Sequence, residues 1–157
     1  MKIALIGYGK MGKEIHTLAL KNNIDVVKII DVDNYNEINN LNQCGAEVAI
    51  EFTTPTSVMK NIEHCFKQNM PIVSGTTGWY HQFKQIEDIQ KKYNGKLFYA
   101  SNFSIGVNLF FKMAAEISPI MKNYLSDYHV KIEETHHTQK KDKPSGTAIT
   151  LSTIMAS

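Results

Sequence analysis

The residues from Glu133 to Ala148 hold the densest group of chemically active side chains in this 157-residue chain. They read EETHHTQKKDKPSGTA, with two adjacent histidines, three lysines and a Pro-Ser-Gly-Thr turn. Histidine transfers protons near neutral pH, and lysine holds a charge or donates a proton. A turn that leads into a helix adds unpaired backbone N–H groups that attract anions. The segment therefore predicts a pocket for a small anionic substrate.

Two other functions of this segment are disfavoured, and a third stays open. Adjacent residues on an extended chain point in opposite directions, so His136 and His137 do not readily ligate one metal ion. A nucleic-acid tail typically has arginine and more positive charge, whereas the formal net charge here is only +2. We expect no metal and no nucleic-acid partner. A solvated basic loop without a ligand remains the alternative.

The chemistry divides between the two ends of the segment. His136 and Lys140 are the candidates for acid–base work and for stabilising charge. The turn Pro144–Thr147 precedes AITLSTI, a sequence typical of a helix, so its N–H groups and hydroxyls form a candidate carboxylate cradle. His137 and the lysines add positive charge beside it.

A second candidate site is the glycine turn GYGKMG, from Gly7 to Gly12, which matches G-x-G-x-x-G between an apolar strand and a helical pattern. This pattern is typical of a turn that lets a backbone approach a pyrophosphate. Asp31 ends the next strand, where a carboxylate accepts hydrogen bonds from a ribose and favours NAD. Lys10 weakens that preference, because a cation in this loop can meet the extra phosphate of NADP. The alternative is a turn that only packs a helix on a sheet. A dinucleotide site followed by a cationic pocket indicates hydride transfer to a small acid.

The elements that must position these residues alternate between strands and helices, which predicts an α/β fold with a Rossmann-type parallel sheet. Thr54 before Pro55 resembles a helix N-cap. The run Asn34–Gln43 is predicted to be a polar surface connection. The predicted strands are KIALI, DVVKIID, EVAIEF, PIVSG and KLFYAS, and the apolar helix positions include Met11, Ile15, Leu18 and Ala19, then Val58, Ile62, Cys65 and Phe66, then Phe83, Ile86, Ile89 and Tyr93.

The pattern changes near Ser104, so we predict a dinucleotide-binding domain at residues 1–104 and the start of an α+β substrate domain at 105–157. Residues 106–118 predict a buried helix, and Asp127–Glu134 a half-exposed strand. One strand cannot bury both of its faces, so we expect this domain to be incomplete, to expose Tyr128, Val130 and Ile132, and to show little activity alone.

From the N-terminal sequence we expect a cytoplasmic protein without a membrane partner. The apolar run after Lys2 ends at Gly7 and is too short for a signal peptide or a membrane span. Cys44 and Cys65 have no metal-like spacing and are expected to be free thiols.

Four motifs together resemble the dihydrodipicolinate (4-hydroxy-tetrahydrodipicolinate) reductase family. They are GYGKMG, GTTG at residues 75–78, SNFSIGVN at residues 101–108 and HHTQKKDKPSGTA at residues 136–148, and they occur in the family's order. The resemblance implies an enzyme of diaminopimelate and lysine biosynthesis that reduces a cyclic dicarboxylate with NADH or NADPH, typically as a homotetramer. Members of the family continue for many more residues, so the chain is expected to be truncated at its C-terminus. The family often has arginine where Lys10 stands, which leaves the choice of nucleotide open.

The resemblance also implies roles for individual residues. His136 is the proton donor or acceptor and Lys140 a second proton donor, while His137, Gly146 and Thr147 hold substrate carboxylates. The implied cofactor-binding residues are Gly7, Tyr8, Gly9, Lys10, Met11, Gly12, Asp31, Gly75, Thr76, Thr77, Ala100, Ser101, Asn102 and Phe103. Two alternatives are a dinucleotide-binding module without catalysis, which needs no proton donor, and an amino-acid or semialdehyde dehydrogenase, which has no reason to place a P-S-G-T cradle after two histidines.

Overall fold

The computed structural model describes residues 1–136, 138 and 143–156. The chain divides into two compact units, Met1–Ala100 and Ser101–Ser157. Of the residues predicted to do chemistry, His137 and Lys140 lie outside the described residues.

The first unit is an α/β layer structure around a parallel sheet, as predicted. Within the described residues the sheet has five strands in the order β2-β1-β3-β4-β5, and every neighbouring pair is parallel. The order changes direction between β1 and β3, which is where ligands bind in such sheets. The elements are β1 (Lys2–Ile6), α1 (Lys10–Lys21), β2 (Asp25–Ile30), β3 (Val48–Glu51), α2 (Val58–Lys67), β4 (Ile72–Ser74), α3 (Phe83–Tyr93) and β5 (Leu97–Tyr99).

The core lies on both faces of this sheet, because parallel strands with crossover helices are covered on each side. On one face, the predicted apolar stripe of α2 is fully buried, from Val58 to Phe66. On the other face, Ile3 and Leu5 of β1 pack with Ala19 of α1. The sheet is therefore packed on both faces beneath the loops that leave its carboxyl edge.

One local prediction in this unit was wrong, and a second was incomplete. α2 begins at Val58 after Ser57, because the hydroxyls of Thr54, Thr56 and Ser57 bond one another in a preceding turn. The polar run that was expected to be a surface connection forms 3₁₀ turns over Val32–Gln43. Asn34 and Asn40 have non-helical backbone angles within this run, and the apolar residues Ile38 and Leu41 on either side of Asn40 are buried.

The second unit contains α4 (Ile105–Met121), a 3₁₀ turn at Lys122–Tyr124 and α5 (Gly146–Ala156). The hydroxyl of Ser104 caps α4 by accepting a hydrogen bond from Val107 N at 3.4 Å. The helix was predicted to be buried, but only the face that carries Phe111 and Ala114 is buried, and Phe110 and Met113 on the other side are exposed.

The predicted strand Asp127–Glu134 does not form. A strand needs a hydrogen-bonded neighbour, and no strand among the described residues pairs with this segment. The apolar side chains of Tyr128, Val130 and Ile132 are exposed, as expected. In the described part of the chain, no helix combines the length and the apolar character that crossing a membrane requires.

Candidate functional site

The glycine turn uses each of its three glycines for a different purpose. Gly7 has a φ of +93°, and a Cβ atom there would lie 2.1 Å from the carbonyl oxygen of Phe52, so only glycine fits this turn. A Cβ atom at Gly12 would lie 2.2 Å from the carbonyl oxygen of Gly7, which requires close packing of α1 on β1. A Cβ atom at Gly9 would meet nothing within 4 Å. Packing within the protein therefore does not require glycine at position 9, whereas the close approach of a pyrophosphate would.

A cleft of about 380 Å³ opens beside this turn at the carboxyl ends of β1, β2 and β3. It is lined by Ile6, Gly7, Tyr8, Gly9, Ile30, Asp31, Val32, Tyr35, Phe52, Thr53, Thr54, Ser57 and Asn61. The predicted residues Lys10 and Met11 form the exposed first turn of α1 and are not part of this lining. The cleft has the position of a dinucleotide site in an open α/β sheet.

Asp31 is held in place at the end of β2 by its neighbours. Its backbone N–H donates to the side-chain oxygen of Asn34 at 2.8 Å, and the amide nitrogen of Asn34 donates to the carbonyl of Ile29 at 2.9 Å. The carboxylate of Asp31 is exposed at the cleft. It can accept hydrogen bonds from the hydroxyls of a ribose.

The loop after β4, which contains Gly75, Thr76 and Thr77, is anchored by hydrogen bonds of Thr76 to buried groups. The hydroxyl of Thr76 is buried and donates to a carboxylate oxygen of Glu51 at 2.9 Å, while its carbonyl accepts from Trp79 Nε1 at 2.7 Å. A Cβ atom at Gly75 would lie 2.1 Å from the ring of Phe52. The side chain of Thr76 thus points into the protein and supports the loop instead of facing the cleft.

The residues predicted to continue this nucleotide site divide between the two units. Ala100 follows β5 at the same edge of the sheet, and its N–H donates to the carbonyl of Ser74 at 3.4 Å. Ser101, Asn102 and Phe103 belong to the second unit, where they precede α4.

In the second unit, Glu134 contacts His136 and Ser145, which stand on either side of the three lysines in the sequence. One of its carboxylate oxygens lies 2.9 Å from His136 Nε2 and accepts from the hydroxyl of Ser145 at 2.5 Å. The other accepts from the N–H of Ser145 at 3.0 Å. The hydrogen bonds from the Ser145 hydroxyl, from His136 and from the Ser145 N–H lower the pKa of Glu134 to about 2. The segment is therefore organised around a carboxylate of its own.

The predicted cradle lies at the start of α5, next to this carboxylate. The hydroxyl of Ser145 accepts from Ala148 N at 3.1 Å, and the hydroxyl of Thr147 accepts from the amide of Asn102 at 3.4 Å. Among the described residues, no acceptor bonds the N–H groups of Gly146 and Thr147. As far as the described residues show, these two groups are available to an anion. Asn102, predicted to lie on the nicotinamide side, thus contacts a predicted substrate residue.

Sequence reasoning missed Glu134 and Glu51, and it placed the hydroxyl of Ser145 in the cradle without foreseeing its bond to Glu134. A signal existed for Glu134, because residues i and i+2 of an extended chain lie on one face, which places it beside His136. Ser145 stands before a helix, a position where serine commonly caps the helix. Glu51 had no comparable signal, because the residues that surround its carboxylate come from three separate parts of the chain.

Two family comparisons match successive parts of the chain. The family "Dihydrodipicolinate reductase, N-terminus" matches residues 1–103, and the family "Dihydrodipicolinate reductase, C-terminus" matches residues 106–157. The chain belongs to the dihydrodipicolinate reductase family. The sequence-based resemblance to this family is therefore confirmed.

Individual members of the dihydrodipicolinate reductase family match nearly all of the chain. The 4-hydroxy-tetrahydrodipicolinate reductase of Christiangramia forsetii is 46% identical over 151 residues, which cover 96% of this chain and 62% of that protein. The one from Rickettsia rickettsii is 40% identical and covers 95% of this chain and 61% of that protein. The dipicolinate-bound dihydrodipicolinate reductase from Paenisporosarcina sp. TG-14 is 27% identical, with a TM-score of 0.72 over 99% of this chain and 65% of that one. The chain thus spans less than two thirds of the length of these relatives.

Proposed function

We propose that the protein acts in the reduction of 4-hydroxy-tetrahydrodipicolinate to tetrahydrodipicolinate, a step of diaminopimelate and lysine biosynthesis. The main support is the combination of a glycine turn open to a ligand at Gly9 with a helix start whose Gly146 and Thr147 N–H groups have no acceptor within residues 1–136, 138 and 143–156. The first feature suits a pyrophosphate and the second a carboxylate. Family membership over both units links the two features to one reaction.

The cofactor is a nicotinamide dinucleotide in the cleft of the first unit. Gly7, Tyr8, Gly9 and Gly12, with the first turn of α1 at Lys10 and Met11, hold the pyrophosphate, and Asp31 holds the adenosine ribose. The exposed carboxylate of Asp31 in the lining, with Lys10 outside it, supports NADH over NADPH. The nicotinamide side is formed by Gly75, Thr76 and Thr77 and by Ala100, Ser101, Asn102 and Phe103. Residues 1–104 are the cofactor domain and 105–157 the start of the substrate domain.

The substrate is a small cyclic dicarboxylate. Gly146, Thr147 and His137 hold its carboxylates, and His136 and Lys140 handle protons. The bound nicotinamide supplies the hydride; the substrate takes up that hydride and one proton and releases water. The hydrogen bond that Glu134 accepts from His136 holds the imidazole in one orientation, as proton transfer requires. On the family resemblance, the whole enzyme is a cytoplasmic homotetramer.

The experiment is an assay of NADH oxidation with the cyclic substrate. We would compare this chain with a version extended by the C-terminal part of the Christiangramia forsetii relative, and each with its His136→Ala variant. Turnover in either protein that falls at least a hundredfold in the variant is the expected result. NADH binding without turnover in both proteins would instead favour a dinucleotide-binding module without catalysis.

A further inference from the structure

Glu51, the last residue of β3, is a carboxylate with none of its surface exposed. Four donors surround it. The hydroxyl of Ser74 donates to one oxygen at 2.6 Å, and the hydroxyl of Thr76 donates to the other at 2.9 Å. That second oxygen also accepts from the hydroxyl of Thr53 and from the amide of Asn61 at 3.4 Å.

All four donors are neutral. Among the described residues, no lysine, arginine or histidine forms an ion pair with Glu51. A buried carboxylate without such compensation is costly, so several charge-assisted hydrogen bonds are needed to stabilise it. An ionised carboxylate only accepts hydrogen bonds, which matches a shell composed only of donors. Its negative charge also adds to the effect of burial in raising the pKa of Cys65.

The hydrogen bond to Glu51 fixes which way the Thr76 hydroxyl points. Because this hydroxyl donates to the carboxylate, its lone pairs face away, and one accepts the N–H of Thr53 at 2.8 Å. The hydroxyl of Thr53 in turn accepts from Ser57 at 2.9 Å and from the amide of Asn61 at 3.2 Å. The loop after β3 and the loop after β4 are thereby joined through one buried carboxylate.

These two loops lie on one side of the point where the strand order reverses, and Asp31 at the end of β2 lies on the other side. A dinucleotide spans this point, with the ribose of its adenosine at the end of β2. The nicotinamide half therefore lies over the loops after β3 and β4. Thr53, Ser57 and Asn61 also line the cleft.

We infer that Glu51 is a positioning residue for the nicotinamide half of the cofactor, acting through Thr76 to hold the two loops at the reversal point. This inference rests on the proposed function, because it requires a dinucleotide in the cleft. It assigns no contact between Glu51 and the cofactor. The carboxylate acts only through the hydroxyl and backbone groups that it holds.

The test compares two ligands, NADH and ADP, by calorimetric titration of the whole chain. ADP lacks the nicotinamide half, so it reports only on the glycine turn and Asp31. Glu51→Gln keeps the size of the side chain but removes its charge, and Thr76→Val removes the hydroxyl link. We expect each variant to weaken NADH binding by about tenfold and to leave ADP binding within about twofold of the unaltered chain.

Two controls separate positioning from general loss of structure. Ser74→Ala removes a donor to the same carboxylate without touching the Thr76–Thr53 link, so it should lower the unfolding temperature and leave the ratio of NADH to ADP affinity unchanged. Thr76→Ser keeps the hydroxyl and should bind NADH as the unaltered chain does. The Glu51→Gln/Thr76→Val double variant should be no weaker than the weaker single variant, because both substitutions act on the same link.

The outcomes are distinguishable. Equal losses for NADH and ADP, or unchanged NADH binding in Thr76→Val, would overturn the inference. Should Glu51→Gln fail to fold, the comparison of Thr76→Val with Thr76→Ser decides it alone. If the unaltered chain bound neither ligand, the proposed function itself would be wrong.

Discussion

Nε2 of His136 lies 2.9 Å from a carboxylate oxygen of Glu134, and that same oxygen accepts the hydroxyl of Ser145 at the start of α5. The residue proposed to transfer protons and the helix proposed to hold the substrate are therefore joined through one side chain. We expect a shift of α5 to move Glu134 and so to change the orientation of the imidazole. The geometry of the site depends on this carboxylate remaining ionised.

Acid should break this connection. The pKa of Glu134 is about 2, below its ordinary value of 4.5, because Ser145 and His136 bond its ionised form. A lowered pKa means that the stabilisation is fully present above pH 4.5 and is lost as the pH falls from 4.5 to about 2. We predict that NMR of the Glu134 carboxyl carbon gives a midpoint near 2. In Ser145→Ala the midpoint should move back up. A midpoint near 4.5 in the unaltered chain would show that the bonds do not persist in solution.

In an active form of the enzyme, the proton-transfer and substrate-binding residues should differ kinetically. His136→Ala should lower kcat by about a hundredfold or more, because proton transfer acts in the transition state. Glu134→Gln should lower kcat by a smaller factor, about tenfold, since the imidazole stays but loses its fixed orientation. Thr147→Val should mainly raise KM, because it weakens carboxylate binding before the reaction. Steady-state kinetics test this, and a His136→Ala enzyme with normal kcat would remove that residue from the mechanism.

Nucleotide preference should depend on Asp31. Asp31→Ala should shift relative affinity toward NADPH by roughly tenfold, because it removes a carboxylate that repels the 2′-phosphate. Lys10→Ala should shift affinity toward NADH. Asp33→Ala is the matched control, since it removes the same charge two positions further along the chain. Asp33 is exposed and lies outside the cleft lining. Fluorescence titrations with both nucleotides measure the ratio. Equal effects of Asp31→Ala and Asp33→Ala would contradict a specific role for Asp31.

The two cysteines should react at very different rates. Burial raises the pKa of Cys65 to about 12, so its thiol stays protonated and enclosed at pH 8, whereas Cys44 is only half-buried. Iodoacetamide at that pH should label Cys44 in the folded chain and Cys65 only after denaturation. The Cys44→Ser variant should show almost no labelling while folded. Fast labelling of Cys65 in that variant would mean that α2 does not pack on the sheet as described.

The first unit could be predicted from sequence because its strong signals are local. Each buried strand is a short apolar run, and the helix stripe from Val58 to Phe66 repeats at helical spacing. The start of α2 was misplaced because hydroxyl contacts within the turn at Thr54–Ser57 decided it, and such contacts have no periodic pattern. The 3₁₀ turns at Val32–Gln43 were missed because only two apolar residues mark their buried face.

Prediction of the sites was limited in the same way, because only local signals could be read from the sequence. The glycine turn and Asp31 were found because their spacing along the chain is itself the signal. Glu51 could not be found, because the groups around it come from the loop after β3, from α2 and from β4 with the loop that follows it, and they meet only in the folded sheet. Alternation in Asp127–Glu134 predicted a strand, but alternation marks only which side chains share a face, and a strand also needs a paired neighbour.

The most direct test of the account is NADH binding to the unaltered chain and to Gly9→Val, measured by calorimetry with the unfolding temperature as a check on folding. A Cβ atom at Gly9 meets nothing within 4 Å, so the fold should persist, while the added side chain blocks the pyrophosphate. Gly12→Ala is the control, because its Cβ atom would lie 2.2 Å from the Gly7 carbonyl oxygen and should lower the unfolding temperature. We predict NADH binding by the unaltered chain and a loss of at least about tenfold in a folded Gly9→Val. Equal NADH affinity in the two folded proteins would contradict a dinucleotide at this turn.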